Sequence, residues 1–174
     1  MFKKIVLGSL AVLIVAGATL FVMNGKDNYD ASQYSASVTD GLNVGSKISF
    51  TLPDQFDKSH TLDNDAKVLI LAFSKDTGHM VKEFLATQDT GYLKNKAGYF
   101  IADIHKMPVI IRNTFALPGL QKSSYAVLLI YDQKMSEKIN FIDNTDKAAV
   151  VSLENGTIQA VKYVSTPQEL QASL

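Results

Sequence analysis

The sequence predicts an α/β domain in which a mixed sheet is flanked by helices, with an N-terminal hairpin and an N-terminal membrane segment. Three observations predict this arrangement. Apolar strand-like runs alternate with amphipathic segments between residues 68 and 142. An Asn-Gly turn at 155–156 joins two further strand-like runs, so the sheet closes with an antiparallel pair. A charge-free apolar run of 19 residues, Ile5 to Met23, opens the chain.

The composition excludes several classes of function. The 174 residues suffice for one domain with a full hydrophobic core. The net charge is zero and no basic stripe is present, so no nucleic-acid partner is expected. Arg112 is the only arginine, which argues against bidentate clamping of phosphates as the main activity. The chain has no cysteine, so disulfides, thiolate metal sites and thiol redox chemistry are excluded.

The N-terminus has the layout of a bacterial export signal, with two lysines before the apolar run. Uncut, the run would span about 28 Å, close to the hydrocarbon thickness of a bilayer. We favour a signal anchor over residues 1–23 that holds the protein on the periplasmic side of the inner membrane. The alternative is a signal peptide cleaved after Ala18, which would release the protein into the periplasm. Residues 24–43 are polar and aperiodic and predict a flexible tether to a domain over 44–174.

Strands are predicted from short runs of apolar and β-branched residues. These runs are Ile48 to Leu52, His60 to Leu62, Val68 to Phe73, Tyr99 to Ile104 and Tyr125 to Tyr131. The third is continuously apolar, as expected of a central parallel strand that is covered on both faces.

Helices are predicted between the later strands from apolar residues at helical spacing. The first runs for about three turns up to Gln88, and Asp76 is expected to cap it. The second opens at Pro108 and ends near Pro118-Gly119, and a short third helix covers Met135 to Ile142.

The C-terminal part carries the clearest local signals. The runs AAVVSL and TIQAVKYV flank the Asn-Gly turn. Thr166 can then cap a last helix, Pro167 suits its first position, and Glu169 completes a capping box.

Three stretches, in this order, resemble the thioredoxin fold in its redoxin (peroxiredoxin-like) form. GSKISFTLPDQFDKSHTL looks like the entry hairpin, and KVLILAFSKD looks like the strand that feeds the active-site loop. SLENGTIQAVKYVSTPQELQASL looks like the closing hairpin and last helix. The resemblance spans residues 44–174 and implies a thioredoxin-like domain.

The middle of the chain resembles a narrower group. Ala102-Asp103-Ile104, Met107-Pro108 and Phe115-Ala116-Leu117-Pro118 are similar to a pattern in small, exported, uncharacterised proteobacterial proteins of redoxin-like fold. This resemblance implies relatives, but no catalytic residue comes with it.

The active-site loop of that family is degenerate here. Laid on the thioredoxin Cys-Gly-Pro-Cys, the chain has Thr77-Gly78-His79-Met80. Ser74 and Val81 replace the proline and the cysteine of the peroxiredoxin pattern, and Ala148 stands where a cis-proline is usual. Because thiol–disulfide exchange and peroxide reduction by this fold both need a thiolate, we expect that the protein is not an enzyme of either kind.

A candidate ligand rim follows two adjacent predicted strands. The carboxyl ends of such strands meet at one edge of the sheet. Their loops would bring Asp76 and His79 towards Asp103 and His105. The last two would share a face if the strand continues through them.

The same rim offers soft-metal ligands. Imidazole and thioether groups suit copper or haem iron, and the rim contains such groups in His79, Met80 and His105, with Met107 nearby. The alternative, which we favour, is that the methionines fill the core and the histidines are exposed loop residues. No paired His or Met motif supports a metal, so neither a metal nor a cofactor is predicted.

A candidate docking surface lies further along the chain. Phe115, Leu117, Pro118 and Leu120 offer apolar side chains to another protein or to the bilayer. The alternative, which we favour, is that this segment packs into the domain's own core. Arg112 either anchors a partner carboxylate or extends over apolar side chains into solvent.

Two functions remain. The first is a redox-inactive, thioredoxin-like periplasmic domain, tethered to the inner membrane through residues 5–23, that acts by protein contact as an accessory or assembly factor. The resemblance supports it, because this fold normally grips extended polypeptide beside its active site. The alternative is a periplasmic metal- or haem-handling protein that uses the His/Met rim. The sequence does not identify the protein partner.

Overall fold

The computed structural model describes residues 25–139 and 146–174. Within that part the chain forms eight strands, and their bounds follow. They are β1 (Ser35–Val38), β2 (Ile48–Pro53), β3 (Ser59–Thr61), β4 (Val68–Ala72), β5 (Gly98–Asp103), β6 (Val127–Ile130), β7 (Ala148–Glu154) and β8 (Thr157–Val164). The first three strands form an antiparallel sheet in the order β1-β2-β3.

The remaining strands form a mixed sheet in the order β6-β5-β4-β7-β8. β4, β5 and β6 are parallel, and β7 and β8 run antiparallel to their neighbours. The predicted mixed sheet is therefore confirmed, with the strand after Lys67 at its centre.

Helices connect and cover the strands. They are α1 (Lys75–Ala86), α2 (Tyr92–Asn95), α3 (Val109–Ile111), α4 (Leu117–Leu120), α5 (Gln133–Ile139) and α6 (Pro167–Ser173). A 3-10 turn covers Ala31–Gln33, and a π-helical turn, Arg112–Ala116, joins α3 to α4 without a break. We call the joined segment the 109–120 helix.

The central sheet separates two hydrophobic clusters. Along β4, Leu69 and Leu71 face the first cluster, which contains the small sheet and α5. Val68 and Ile70 face the second cluster, which contains α1 and α6. Since successive side chains of a strand point to opposite faces, a fully apolar strand is what a sheet covered on both sides requires.

The C-terminal signals are confirmed in the structure. Asn155 and Gly156 have φ angles of 49° and 72°, as the tight turn between β7 and β8 requires. Thr166 Oγ1 accepts a hydrogen bond from Glu169 N, and Pro167 is the first residue of α6. The Glu169 carboxylate reaches back one residue further than predicted and accepts from Ser165 N.

The flexible tether predicted over residues 24–43 is wrong for residues 29–38. β1 pairs with β2 there, from Ser35 opposite Thr51 to Val38 opposite Ile48. Tyr29 also stacks on Tyr131, with ring centroids 4.7 Å apart. The prediction failed because the apolar surface of this segment comes from tyrosine rings, which a polar composition conceals.

One predicted helix boundary is confirmed and another is wrong. The helix that begins after Pro108 ends at Leu120, next to the predicted end near Pro118-Gly119, and it continues through Pro118. It does so because Leu117 N donates to Arg112 O in a wider π-helical turn, so the i−4 bond that proline cannot make is already absent. Asp76 is not the cap of α1, because Ser74 holds that position.

Two further predictions fall outside the described residues. Residues 140–142 of the third predicted helix lie there, and so does the predicted membrane segment, residues 1–23. A search of the described ranges finds no helix that is both long and apolar enough to span a bilayer.

Candidate functional site

A groove of about 770 Å³ opens where β4 and β5 end. Its sides are the first turns of α1, the loop that follows β5, and the 109–120 helix. The apolar side chains that line it include Phe73, Ile104, Met107, Ile111, Phe115 and Leu120. A volume of this size, lined mostly by apolar side chains, is typical of ligand-binding clefts.

The polar side chains around this groove are mainly basic. Lys75, Lys82 and Lys106 line it, together with two histidines. Asp103 is the only acidic residue in its lining. The groove therefore combines apolar walls with a cationic rim.

Asp103 and His105 form a hydrogen-bonded pair at the groove. Asp103 Oδ1 lies 2.7 Å from His105 Nδ1 and accepts from His105 N at 3.0 Å. Ser136 Oγ donates to Asp103 Oδ2 at 2.5 Å. The carboxylate, whose side chain is 3% exposed, thus fixes the imidazole ring through one nitrogen and leaves Nε2 without a partner among the described residues.

Asp103 and His105 were expected to share a strand face only if the strand continued through both, and it does not. β5 ends at Asp103, and its carboxylate accepts the backbone N–H two residues on. A short side chain that bonds its own backbone in this way favours a turn over a continued strand.

The first half of the predicted rim is only partly at the groove. His79 borders it and pairs with Glu83, with Nε2 3.1 Å from the carboxylate, on the exposed face of α1. Asp76 is exposed in the first turn of α1, where a carboxylate interacts favourably with the helix dipole, and it does not line the groove. Met80 packs against the second core cluster.

The structure does not assemble the candidate metal ligands. Among the described residues, no three His, Cys, Asp or Glu side chains are placed to hold one ion. Met107, like Met80, packs against the second core cluster. This agrees with the favoured interpretation of the methionines as core residues. Of the two rim histidines, His79 is exposed as expected, whereas the His105 side chain is only 15% exposed.

The N-terminus of α1 carries a pair of hydroxyl groups. Ser74 caps the helix, and its Oγ accepts from Thr77 N, while Ser74 N donates to Thr77 Oγ1. The two hydroxyl oxygens are 3.0 Å apart. A thiolate would be stabilised at this helix end, so the positions suited to thiol chemistry are 74 and 77, three residues earlier than the predicted loop Thr77 to Met80.

Gly78 borders the groove, whereas Ala148 does not. Ala148 is the first residue of β7 and is fully buried in the second core cluster. No cis peptide bond is found in the described ranges. The groove therefore lies on the β5 side of the degenerate loop, not beside the position where the family carries its cis-proline.

The candidate docking surface divides into two parts. Leu117 and Leu120 are partly buried and pack against the second core cluster, as we favoured. Phe115 is 68% exposed, and Pro118 is exposed as well. Ile111 and Phe115 are four residues apart, so they lie on one face of the helix and both line the groove, whereas Arg112 is buried.

Arg112 anchors a carboxylate of its own chain. Its Nη2 lies 2.6 Å from Asp27 Oδ1, and its Cζ lies 4.7 Å from the centroid of the Tyr131 ring. Burial is the main cause that raises the pKa of Tyr131 above its ordinary value, and the arginine opposes part of that rise. The 109–120 helix is thereby fastened to the segment that precedes β1.

Two further contacts hold this helix in place. Lys82 Nζ donates to Gly119 O at 3.0 Å and so links α1 to the far wall of the groove. Gln55 is buried and donates to Leu120 O, at the end of the helix, at 3.5 Å; it also donates to Tyr125 O and accepts from Val127 N, both at 2.8 Å. Sequence reasoning missed Gln55, because a glutamine is ordinarily exposed and no local pattern marks a buried one.

The fold is similar to that of several solved structures. DsbE from Chlorobium tepidum, a proposed thiol:disulfide interchange protein, matches with a TM-score of 0.52 and 14% identity over 76% of this chain and 95% of that chain. A peroxiredoxin-like protein from Aquifex aeolicus matches with a TM-score of 0.50 and 10% identity, over 81% and 92%. StoA from Bacillus subtilis matches with a TM-score of 0.50 and 12% identity, over 72% and 95%.

No protein-family model matches the chain, and no curated protein matches it. The structural likeness confirms the predicted thioredoxin-like fold. The chain has this fold without a cysteine, so it lacks the thiol on which disulfide exchange depends.

Proposed function

We propose that this protein is a redox-inactive thioredoxin-like domain that acts by protein contact, as an accessory or assembly factor. The groove beside α1 receives a polypeptide segment of the partner. Residues 5–23 hold the domain on the periplasmic side of the inner membrane. The observation that carries the proposal is the open apolar groove, with Phe115 68% exposed on its wall.

An exposed phenylalanine on a groove is a natural anchor for a partner. Aromatic side chains contribute much of the energy of protein interfaces when a partner covers them. Ile111, 44% exposed, lies on the same wall. Covering both side chains would remove apolar surface from water that the isolated domain leaves exposed.

The groove walls are also held before a partner arrives. Lys82 ties α1 to Gly119, and Arg112 ties the 109–120 helix to Asp27. A preorganised site loses less conformational freedom on binding than a mobile one. These contacts support a docking function over a general apolar patch.

The metal- or haem-handling alternative has weaker support. His79 Nε2 is engaged by Glu83, and among the described residues no three His, Cys, Asp or Glu side chains are placed to hold one ion. Its methionines contact the core. We therefore do not carry it further.

The test is in-cell crosslinking and affinity recovery of the tagged, full-length protein from membranes, read by mass spectrometry. Phe115→Asp places a charge on the groove wall. Phe56→Asp is the matched control, because Phe56 is 59% exposed and does not line the groove. We expect one near-stoichiometric partner with the wild type and the control, and its loss with Phe115→Asp.

Two outcomes would count against the proposal. Equal recovery with both variants would show that the partner binds elsewhere, and the absence of any partner above background would remove the contact function. The same spectra test the anchor, since a mature N-terminus at Thr19 would mean cleavage after Ala18 instead of a retained segment.

A further inference from the structure

We infer that the segment bound in the groove carries a carboxylate, an Asp or Glu side chain between apolar residues, and that His105 and the rim lysines receive it. This inference rests on the proposed function and adds the chemistry of the partner segment. It comes from the distribution of charge around the groove, which the docking proposal itself does not use.

His105 supplies the directed contact. Its Nδ1 is held by Asp103, whose carboxylate is also bonded by Ser136 Oγ and by the His105 backbone N–H. The ring therefore has one orientation. Because Nδ1 carries the proton that Asp103 accepts, Nε2 donates a hydrogen bond to a ligand carboxylate in the doubly protonated, cationic form of the ring. A buried carboxylate behind an imidazole orients the ring and balances a positive charge on it.

The lysines supply the field. Lys75 and Lys106 are exposed at the rim, and Lys82 lies between α1 and the 109–120 helix. Asp76 and Glu83, which follow Lys75 and Lys82 in the sequence, do not line the groove. The N-terminus of α1, a helix of 12 residues, adds its positive dipole end on the same side.

This distribution selects among possible segments. A basic segment would meet like charge, and a wholly apolar one would cover the cationic groups without offering them a partner. In a segment with an acidic side chain between apolar residues, the carboxylate can pair with the basic groups of the rim and the apolar residues can pack against the walls. Asp103 pairs with His105 and with none of the three rim lysines, so the charge of the lysines is left for the segment.

The experiment selects a phage-displayed library of random dodecapeptides against the full-length protein in nanodiscs of neutral lipid. Empty nanodiscs remove background binders. Enriched peptides are then synthesised with the acidic residue intact and with Glu→Gln or Asp→Asn, and their dissociation constants are measured. We expect apolar peptides with a central Asp or Glu, and a loss of affinity of about tenfold for the neutral version.

Variants of the protein sharpen the same measurement. His105→Ala and Lys106→Gln are each expected to weaken the acidic peptide several-fold and to leave its neutral version unchanged. Lys162→Gln is the matched control, because Lys162 is exposed on β8, away from the groove. If His105→Ala disturbs the fold, Lys106→Gln still decides the question, since its side chain is exposed at the rim.

Each other outcome overturns the inference. Enriched apolar peptides without an acidic residue, or with equal affinity for the Gln and Glu versions, would refute the charge requirement and leave the docking function intact. No enrichment at all would refute the docking function as well. Dodecanoate is tested as a second probe in the same binding measurement. If it binds and no peptide is enriched, the groove is a site for small amphiphilic carboxylates.

Discussion

Residues 26–38 and residues 73–80 are both rich in polar side chains, but they contact the rest of the domain in different ways. In the first segment, Tyr29 stacks on Tyr131 and donates to Asp132, and Asp27 pairs with the buried Arg112. In the second, the polar contacts stay local, from Ser74 to Thr77 and from His79 to Glu83.

The difference separates residue type from residue role. The loop after β4 contains a serine, a threonine, an aspartate and a histidine, which are residue types common in catalytic sites. Here their side chains mainly cap one helix or lie on its surface. The segment before β1 contains tyrosines and aspartates that form no recognisable sequence motif. It nevertheless holds one wall of the groove in place, because Asp27 pairs with Arg112. Long-range contacts, not the types of residue present, distinguish the two.

The largest expected effect restores thiols to the loop. Ser74→Cys with Thr77→Cys should form a reversible disulfide, because the present hydroxyl oxygens are only 3.0 Å apart at the end of α1. Thr77→Cys with Met80→Cys should not, because Met80 packs into the second core cluster. Alkylation before and after reduction, read by mass, checks both. A disulfide in the second variant alone would support the alignment of Thr77 to Met80 with the thioredoxin Cys-Gly-Pro-Cys and contradict the structural register.

Breaking the fastening segment should destabilise the domain next most. Arg112→Ala removes a buried guanidinium that contacts Asp27 and the Tyr131 ring. Since Asp27 is itself 46% exposed, we expect a loss of about 2–3 kcal/mol, below the range for a fully buried pair. Urea unfolding of the full-length chain in micelles, followed by tyrosine fluorescence, measures it. A change no larger than that of Lys162→Ala would mean that the segment is not fastened.

The two rim histidines should differ in the same assay. His105→Ala leaves the buried Asp103 carboxylate with one donor fewer, so about 1–2 kcal/mol of stability should be lost. His79→Ala removes an exposed i,i+4 pair and should change stability by less than about 0.5 kcal/mol. Equal effects of the two variants would contradict the contrast between them.

The smallest effect appears only at alkaline pH. Burial raises the pKa of Tyr131, and burial with the Asp132 hydrogen bond raises that of Tyr29, above the ordinary value of 10.0. The folded state then holds these protons more tightly, so stability falls as the pH rises above about 10. Tyr131→Phe should match the wild type at pH 7 and lose stability less steeply between pH 10 and 11.5. An unchanged slope would show that this hydroxyl does not titrate differently on folding.

Much of the fold could be predicted because its signals are local. The apolar run of β4, the Asn155-Gly156 turn and the Thr166 cap each depend on neighbours in sequence. The predicted tether failed where stability comes from residues about 100 positions away, as between Tyr29 and Asp132. Sequence periodicity carries no information on such contacts.

The position of the groove could be predicted from the sequence, but the side chains that line it and their contacts could not. The rule that ligands gather at the carboxyl ends of parallel strands correctly located the groove. It could not tell that Asp103 turns back onto His105, or that Phe115 would be exposed and Arg112 buried. These features depend on helix phase and on hydrogen bonds that no residue pattern specifies.

The central claim is that a protein partner docks in the groove, and in-cell photocrosslinking tests it most directly. Phe115 is replaced by photoreactive p-benzoylphenylalanine in the full-length protein, and Phe56, which is also exposed but lies outside the groove, is replaced in a matched control. The account predicts one discrete crosslinked partner from position 115 and none from position 56. The same adducts from both positions, or none from position 115, would contradict it.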